Sequence, residues 1–223
     1  GKIPILVGGT GQYIDSLCAG RTFSAFRPES GQRERLQKIA EEGGLPGLWE
    51  DLQRIDPEAA EKLHPNDQRR IIRALEIWYE TGKTITQHNR ETQAIPPRYE
   101  ALTITLNYED RAHLYARIDQ RVDVMMELGL VEEVKALLAA GVPAHCTAMQ
   151  AIGYKEMTDA VANGGDILAA AEEVKLRSRQ YAKRQLTWFR RNQEAHWIYL
   201  PKEPDFTSVL RDSTEFLREK GLG

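Results

Sequence analysis

The sequence has few cysteines, no long apolar run and no large net charge. Cys18 and Cys146 are its only cysteines, and neither belongs to a CxxC motif or a Cys/His cluster. This pattern argues against a disulfide framework and against a structural zinc site. No apolar run reaches the roughly 18 residues of a membrane helix, and the N-terminus lacks a signal-peptide pattern. The sequence therefore predicts a soluble protein of the reducing cytoplasm that does not contact a membrane.

What the sequence does contain is one concentrated run of basic residues in a chain whose net charge is -3. Residues 175–191 include seven basic residues and no acidic one: Lys175, Arg177, Arg179, Lys183, Arg184, Arg190 and Arg191. On a helical projection most of them share a broad face bordered by Tyr181 and Trp188, and Ala182, Leu186 and Phe189 form an apolar stripe for the core. Basic charge beside aromatic rings is typical of an RNA-binding surface. The alternative is a solvated helix whose basic side chains cover apolar surface.

The N-terminal segment predicts a strand followed by a glycine loop. Residues 5–7 (ILV) are fully apolar, like a strand buried on both faces of a parallel sheet, and GGTGQY then leads into a helix with Thr10 as a possible N-cap. Backbone amides freed by the glycines, together with the positive end of the helix, could hold a phosphate. The alternative is a structural turn, because the loop is neither GxxxxGK[ST] nor GxGxxG. A central-type strand in first position also predicts that the chain is a fragment.

Residues 28–97 have the pattern of an all-helical insert. Helices are expected over residues 32–42, 45–55, 57–63 and 68–80, and Gly82 is expected to end the last of them. On this last helix Arg69, Arg70 and Arg73 lie within about a turn and a half. Guanidiniums this close repel one another unless an anion joins them. The alternative partner is an acidic neighbour such as Glu76.

The sheet is expected to resume at residues 101–106, before a helix over residues 111–128. On this helix Arg117 and Arg121 lie four residues apart on one face. They could clamp a diphosphate, or form an i,i+4 ladder with Asp119 and Asp123. The remaining expected elements are a helix ending near residue 141, a glycine-containing segment at 149–155, a helix to residue 163, the basic helix, a strand at 197–200 and a helix at 207–220.

Four motifs follow one another along the chain: GGTGQY after an apolar segment, HPND with RRIIRALE, AIGYKE, and KRQLTWFRR before HWIYL. Together they resemble the tRNA dimethylallyltransferase (tRNA isopentenyltransferase) family, from residue 1 to about residue 200. The resemblance implies an α/β fold, with a partial parallel sheet like that of P-loop kinases and an all-helical insert domain that clasps the tRNA anticodon stem-loop. It also implies transfer of a dimethylallyl group from dimethylallyl diphosphate to the exocyclic amine of the adenosine 3′ of the anticodon, with Mg2+ on the diphosphate.

The resemblance implies domain boundaries, and it also shows one difference between this sequence and the family. Residues 1–27 are assigned to the α/β core, 28–97 to the insert, 98–200 to the core again and 201–223 to a C-terminal helical tail. The P-loop of the GPTASGKT type and the aspartate-containing DSxQxY segment of the family are not among the 223 residues. The chain thus resembles the C-terminal two-thirds of such an enzyme, and we expect it to be inactive alone and monomeric, with the Mg2+ ligands mainly in the missing part.

The resemblance also implies roles for individual residues. Thr10 is the hydroxyl at the reacting centre, Arg121 is the guanidinium on the diphosphate with Arg117 as its helper, and Gly8, Gly9 and Gly11 belong to the substrate site. The implied tRNA contacts are Arg33, Arg69, Arg70, Ile71, Ile72, Arg73, Gln150, Ala151, Ile152, Gly153, Tyr154, Lys155, Lys183, Arg184, Gln185, Leu186, Thr187, Trp188, Phe189 and Arg190. Two alternatives stay open: an adenylate isopentenyltransferase that modifies a free nucleotide, and a non-catalytic RNA-binding module.

Overall fold

The computed structural model describes residues 3–21 and 31–222 of the chain. The predicted domain boundary between residues 27 and 28 therefore lies outside the described residues. Contacts between residues group the chain into two compact units. Residues 12–101 form one, which we call the helical unit, and the residues up to Gly11 together with those from Leu102 onward form the other, which we call the α/β unit.

The elements of the two units follow one another in chain order. The first helices are α1 (Gly11–Cys18), α2 (Gln32–Ile39), α3 (Leu45–Ile55), α4 (Pro57–Lys62), α5 (Gln68–Thr81) and α6 (Ile85–Gln93). The later elements are β1 (Ile104–Tyr108), α7 (Arg111–Glu127), α8 (Leu130–Ala139), α9 (Tyr154–Asn163), α10 (Ile167–Phe189), β2 (His196–Leu200) and α11 (Phe206–Glu219).

Side-chain caps determine where the helices of the helical unit begin. Asp56 accepts a hydrogen bond from the backbone N–H of Ala59 at 3.1 Å and starts α4. Asp67 accepts one from the N–H of Arg70 at 3.3 Å and starts α5. Each carboxylate satisfies an N–H that has no partner inside its helix. Gly82 ends α5 with a φ of 69°, a conformation in which a residue with a Cβ would be strained.

The helical unit has an aliphatic core between α2, α3, α4 and α5. Its buried members are Leu36, Leu48, Leu52, Ala59, Ala60, Ile71, Ile72, Ala74 and Leu75. Beside them the carboxylate of Asp56 is also buried, and it accepts hydrogen bonds from the backbone N–H and the hydroxyl of Thr86 at 3.0 and 2.8 Å. Because these hydrogen bonds offset the cost of burying the carboxylate, Asp56 can connect α4 to α6 inside the unit.

Glu76 on α5 is a charged side chain with no exposed surface. Arg33 of α2 and Arg73 of α5 each donate a hydrogen bond to its Oε2 at 2.8 Å. Burial raises the pKa of Glu76, but the two arginine hydrogen bonds lower it more, so that the pKa lies below the usual range of a glutamate. The partner of Arg73 in the arginine cluster is thus an acidic neighbour.

The α/β unit is built on a parallel pair of strands. Ile104 of β1 lies opposite His196 of β2, and Tyr108 lies opposite Leu200. Helices α7 to α10 share a second core, whose buried members are Val122, Leu130, Val131, Val134, Met149, Met157, Ala171 and Val174. The predicted fold class, α/β with parallel pairing and an all-helical insert, is confirmed.

Some predicted elements differ from the structure. The strand at residues 5–7 is wrong: Ile5 is 83% exposed and Val7 94%, and no strand of the described residues lies beside them. An apolar segment forms a strand only where a neighbour supplies backbone hydrogen bonds. β1 begins later than predicted, at Ile104. The helix expected to reach residue 42 ends at Ile39, where a π-helical turn over Ala40–Gly44 contains Gly43 with a φ of 88°.

The buried Glu76 generates a prediction on stability. We expect Glu76→Gln to lower the free energy of unfolding by about 3 kcal/mol, the lower end for breaking a buried ion pair, because both arginines keep contact with solvent. Since the folded pKa is depressed, the wild-type stabilisation is complete above a pH of about 4.3 and is lost as the pH falls through the folded pKa. Urea denaturation followed by circular dichroism, repeated between about pH 6 and pH 3, measures both effects.

The exposed Glu50 of α3 supplies the matched control for this experiment. Glu50→Gln makes the same chemical change without touching a buried pair, and we expect the free energy of unfolding to stay within about 0.5 kcal/mol of the wild type. Equal losses in the two variants would contradict the assignment of Glu76 as the stabilising carboxylate.

Candidate nucleic-acid interface and active site

The predicted basic helix is α10, which begins at Ile167 and has Asp166 as its N-cap. The Asp166 carboxylate accepts hydrogen bonds from the N–H groups of Leu168 and Ala169 at 2.8 and 3.3 Å and caps the helix. Ala182 is buried, and Leu186 and Phe189 are half-buried, so the predicted apolar stripe does face the protein.

The N-terminal half of α10 uses its basic residues inside the protein. Lys175 forms ion pairs with Asp123 of α7 at 2.7 Å and with Glu172 at 2.8 Å, and these hydrogen bonds raise the pKa of the Lys175 ammonium. Arg179 pairs with Asp119 of α7. Arg177 pairs with Glu173, one turn earlier on α10, at 2.6 Å. These cations are compensated, and Lys175 and Arg179 connect α10 to α7.

The C-terminal half of α10 differs in its charge balance. Lys183, Arg184, Arg190 and Arg191 are exposed, and no carboxylate of residues 3–21 or 31–222 lies within 4.0 Å of their charged groups. The guanidinium of Arg184 lies 5.5 Å from the ring centre of Tyr181, and that of Arg191 lies 5.0 Å from Trp188. Stacking on a ring positions each guanidinium at the surface without neutralising its charge. This half of the helix is therefore available to a polyanion.

The glycine loop lies directly on α10. Gln185 donates a hydrogen bond from Nε2 to the carbonyl oxygen of Gly9 at 3.0 Å. The hydroxyls of Thr10 and Tyr181 are 3.4 Å apart. A Cβ on Gly11 would lie 2.1 Å from Cδ1 of Trp188, and one on Gly9 would lie 2.0 Å from the Gln185 amide. The Trp188 ring therefore requires a glycine at position 11, whereas the flexible Gln185 amide could move away from a Cβ at position 9.

Sequence reasoning missed this contact. It placed Tyr181 and Trp188 at the border of the basic face and treated the glycines only as a phosphate cradle or a turn. The available signal was the spacing of residues 181, 185 and 188, which places the three side chains on one face of a helix. A Cβ on Gly8 would meet no atom of the described residues within 4 Å, so this position of the loop stays open towards a ligand.

The two arginines of α7 are not part of a ladder with their acidic neighbours. Asp119 and Asp123 bind Arg179 and Lys175 of α10 instead. Arg117 contacts Gln120 at 3.3 Å, and its guanidinium and that of Arg121 have no carboxylate within 4.0 Å in the part of the chain that the structure describes. Both arginines are exposed, which leaves them free to meet an anionic ligand.

Arg121 borders a cavity of about 240 Å³ in the α/β unit. Met125, Leu128, Leu130 and Ile152 give the cavity apolar walls, and Glu133 and Tyr154 complete its lining. The Tyr154 hydroxyl donates a hydrogen bond to Glu133 at 2.7 Å, and this bond raises the pKa of the tyrosine. The cavity combines one cation, one carboxylate bound by Tyr154, and apolar walls.

The predicted RNA-binding segment at residues 150–155 partly surrounds this cavity. Ile152 and Tyr154 line it, whereas Ala151 and Lys155 are exposed. Gly153 is buried with a φ of 100°, and its N–H donates to Glu156 at 2.8 Å to begin α9. The Gln150 amide donates to the carbonyl oxygen of Ala144 at 3.2 Å, so it is already engaged within the protein.

The remaining predicted RNA contacts lie in the helical unit. Arg33 and Arg73 bind Glu76, Arg70 lies 3.4 Å from Asp67, and Arg69 is exposed. Ile71 and Ile72 are corrected from RNA contacts to core residues, with exposed fractions of 0% and 5%. A run of five helical residues covers more than one face, so it must include the buried face as well as the exposed one.

None of the helices described in residues 3–21 and 31–222 is long and apolar enough to cross a membrane.

Known proteins resemble the chain over nearly its whole length. The family model described as IPP transferase matches residues 1–192. A tRNA dimethylallyltransferase of Thermoanaerobacter sp. is 42% identical over 221 residues, which cover 99% of this chain and 70% of that protein. A tRNA dimethylallyltransferase of Halothermothrix orenii is 46% identical over 218 residues, which cover 98% of this chain and 66% of that protein. A crystal structure of a eukaryotic dimethylallyltransferase acting on tRNA has a TM-score of 0.71 at 29% identity and covers 98% of this chain and 57% of that chain.

The contact between the glycine loop and α10 generates a prediction. Gly11→Ala should displace the loop, because the new Cβ would meet the rigid Trp188 ring. We expect amide hydrogen exchange in residues 8–12 to become roughly tenfold faster, whereas Gly8→Ala, whose Cβ meets no described atom within 4 Å, should leave it unchanged. Gly9→Ala should have a smaller effect than Gly11→Ala, because the flexible Gln185 amide can move aside. Identical exchange in the Gly8 and Gly11 variants would show that the loop does not depend on α10.

Proposed function

The chain belongs to the IPP transferase family, and on that premise we propose that it transfers a dimethylallyl group from dimethylallyl diphosphate to tRNA. The acceptor is the exocyclic amine of the adenosine on the 3′ side of the anticodon. The observation that carries the proposal is the double role of α10. Its C-terminal half offers uncompensated cations to a polyanion, and the same half binds the glycine loop through Gln185.

The exposed charges of α10 support RNA as the polyanion. Lys183 and Arg184 lie near the C-terminal end of α10, and Arg190 and Arg191 directly follow its last residue, so the four cations are close enough together to meet several phosphates of one RNA. Tyr181 and Trp188 hold the guanidiniums of Arg184 and Arg191 over their rings, which keeps these two cations on the exposed side of the helix. A free mononucleotide has one phosphate group or a short chain of them, and it would leave most of these cations without a partner. The extent of the cationic surface therefore favours tRNA over a free adenylate.

The chemistry requires an anion-stabilising group more than a strong base. The lone pair of an adenine amine is delocalised into the ring, so the bond between the allylic carbon and the diphosphate oxygen must break with little help from the nucleophile. The bonding electrons leave with the diphosphate, the amine nitrogen forms the new bond to carbon, and the alkylated nitrogen then loses one proton to water. The Arg121 guanidinium and the Thr10 hydroxyl are proposed to stabilise the charge that grows on the departing oxygen.

The cavity beside Arg121 suits this role, because it places apolar walls next to a guanidinium while the Tyr154 hydroxyl binds the Glu133 carboxylate. The target adenosine must leave its stack before its amine can reach the allylic carbon.

Mg2+ enters the proposal only as a companion of the diphosphate. Among the residues that the structure describes, no group of three or more His, Cys, Asp and Glu side chains is placed to hold a metal ion. No described residue is therefore proposed as a Mg2+ ligand.

The roles of Thr10 and Arg121 can be tested by kinetics. The assay uses the chain extended by the residues of the Thermoanaerobacter relative that lie outside the matched region, with dimethylallyl diphosphate and an unmodified anticodon stem-loop. Thr10→Ala and Arg121→Ala should each lower the transfer rate roughly a hundredfold, as the loss of one preorganised donor does. Stem-loop affinity should stay within a factor of about two.

The exposed Arg111, at the start of α7, provides a control for Arg121. Arg111→Ala should keep the wild-type rate, and a reaction without protein serves as the blank. Weakened stem-loop binding with an intact transfer rate in the Thr10 or Arg121 variant would move that residue from the reacting centre to the RNA surface.

The role of α10 can be tested by salt dependence. Replacing Lys183 and Arg184 by glutamine should make the plot of log affinity against log salt shallower by about 1.5, since each lost phosphate contact accounts for roughly 0.7 to 0.9. The double variant Arg211→Gln and Arg218→Gln removes the same charge from the exposed surface of α11 and should leave the slope unchanged. Filter binding of the tRNA across a salt series measures both. Equal slopes for the wild type and the α10 variant, with unchanged circular dichroism, would show that Lys183 and Arg184 are solvated and do not contact phosphates.

A further inference from the structure

A cavity of about 530 Å³ lies between α4, α5 and α6 of the helical unit. Its volume falls within the usual range of small-molecule sites, about 300 to 1,000 Å³. Ala59, Leu63, Ala74 and Ile85 contribute apolar surface to its lining. All of these residues also belong to or pack against the core of the helical unit, so the apolar surface has fixed positions.

The rest of the cavity lining is strongly cationic. Lys62, Arg69, Arg70, Arg73 and Arg90 face one carboxylate, that of Glu58, among the described lining residues. Lys62 and Arg90 both bind this carboxylate. Asp67 and Glu76, which lie outside the lining, bind Arg70 and Arg73. Four of the five cations are thus paired with a carboxylate, and the uncompensated positive charge of the cavity is that of Arg69.

Arg69 is the cation best placed to bind such an anion. Arg70 has Asp67 at 3.4 Å and Arg73 has Glu76 at 2.8 Å. The Arg69 side chain is exposed, and none of the carboxylates in residues 3–21 and 31–222 lies within 4.0 Å of its guanidinium. Its five N–H donors can take two oxygens of one phosphate group.

Two amide side chains of α6 complete the cavity. Asn89 and Gln93 lie four residues apart and therefore on one face of the helix. Both side chains are exposed to solvent at the edge of the cavity. An amide carries both a donor and an acceptor, which is the pattern that matches the edge of a nucleic-acid base.

We propose that this cavity binds one nucleotide. Arg69 takes its phosphate, the apolar surface of Ala59, Leu63 and Ile85 takes the face of its base, and Asn89 and Gln93 bind the edge of the base. The inference rests on the proposed function in one respect, since RNA is then the source of the nucleotide, most readily an unstacked residue of the anticodon loop. A free nucleotide has the same chemistry and is the other source.

The test combines variants of the chain with changes in the RNA. The double variant Asn89→Ala and Gln93→Ala should weaken binding of an unmodified anticodon stem-loop about tenfold, the effect of losing one or two hydrogen bonds. Arg69→Gln should weaken it by a similar factor. Gln87→Ala, on an exposed position of α6 outside the cavity, is the control for the amides. Arg54→Gln, an exposed arginine of α3 outside the cavity, is the control for the charge.

Stem-loops that carry an abasic site at one loop position at a time identify the base. We expect one abasic position to weaken binding to the wild type about tenfold and to cause no further loss in the Asn89/Gln93 variant. Isothermal titration with adenosine monophosphate and with inorganic phosphate separates the sources of the ligand. Binding of the monophosphate that the stem-loop does not displace would assign the cavity to a free nucleotide.

Three results would overturn the inference in different ways. If the cavity variants bind the stem-loop like the wild type while the Lys183/Arg184 variant is weakened, the cavity has no part in RNA binding and the proposed function stands. If the Lys183/Arg184 variant also binds like the wild type, the proposed function fails as well. If inorganic phosphate binds as tightly as adenosine monophosphate and ignores Asn89→Ala, the cavity is an anion site without base recognition. Circular dichroism and urea denaturation of every variant confirm that the helical unit stays folded.

Discussion

The ion pairs between α7 and α10 determine which charges of the α/β unit remain for a ligand. Asp119 and Asp123 each bind a cation of the neighbouring helix, Arg179 and Lys175, although arginines of their own helix are within reach in sequence. A carboxylate held in this way no longer neutralises the surface around Arg117 and Arg121. The pairs also align the two helices, whose buried Val122 and Val174 belong to the same core. The position of the free arginines thus follows from the position of the bound acids.

A second constraint is the close approach of the glycine loop to α10. Because Gly9 and Gly11 lack a side chain, Gln185 and Trp188 can contact the backbone of the loop. The consequence is that one helix carries both the cations suited to RNA and the side chains that hold Thr10 in place. A polyanion that binds the exposed half of α10 is therefore close to the loop in the same compact unit, and a shift of the helix would move both surfaces together.

In the helical unit, too, ion pairs within the protein decide which arginines remain for a ligand, but the carboxylate at their centre is buried. Here the carboxylate of Glu76 is buried, and Arg33 and Arg73 approach it from partly exposed positions. These two ion pairs stabilise the packing of α2 on α5. They also compensate the charges of Arg33 and Arg73, which the sequence alone does not distinguish from Arg69. Charge that is used inside the unit cannot also bind a ligand strongly, because the local acid already screens it. Counting basic residues therefore overstates the cationic surface of both units.

The sequence by itself determined most helices, the concentration of basic residues on α10 and the family. Caps such as Asp56, Asp67 and Asp166 act within two or three residues, so their effect can be read from adjacent positions. Only the tertiary structure decided that residues 5–7 form no strand in the described part of the chain, that Ile71 and Ile72 are buried, and that Asp119 binds Arg179. Partners 60 positions apart, or 176 in the case of Gly9 and Gln185, are chosen by which helix faces meet. A cap and its partner lie within one helical turn, so neighbouring residues in the sequence reveal the hydrogen bond. Which of several carboxylates an arginine binds depends instead on how the helices pack, and a short stretch of sequence does not contain that information.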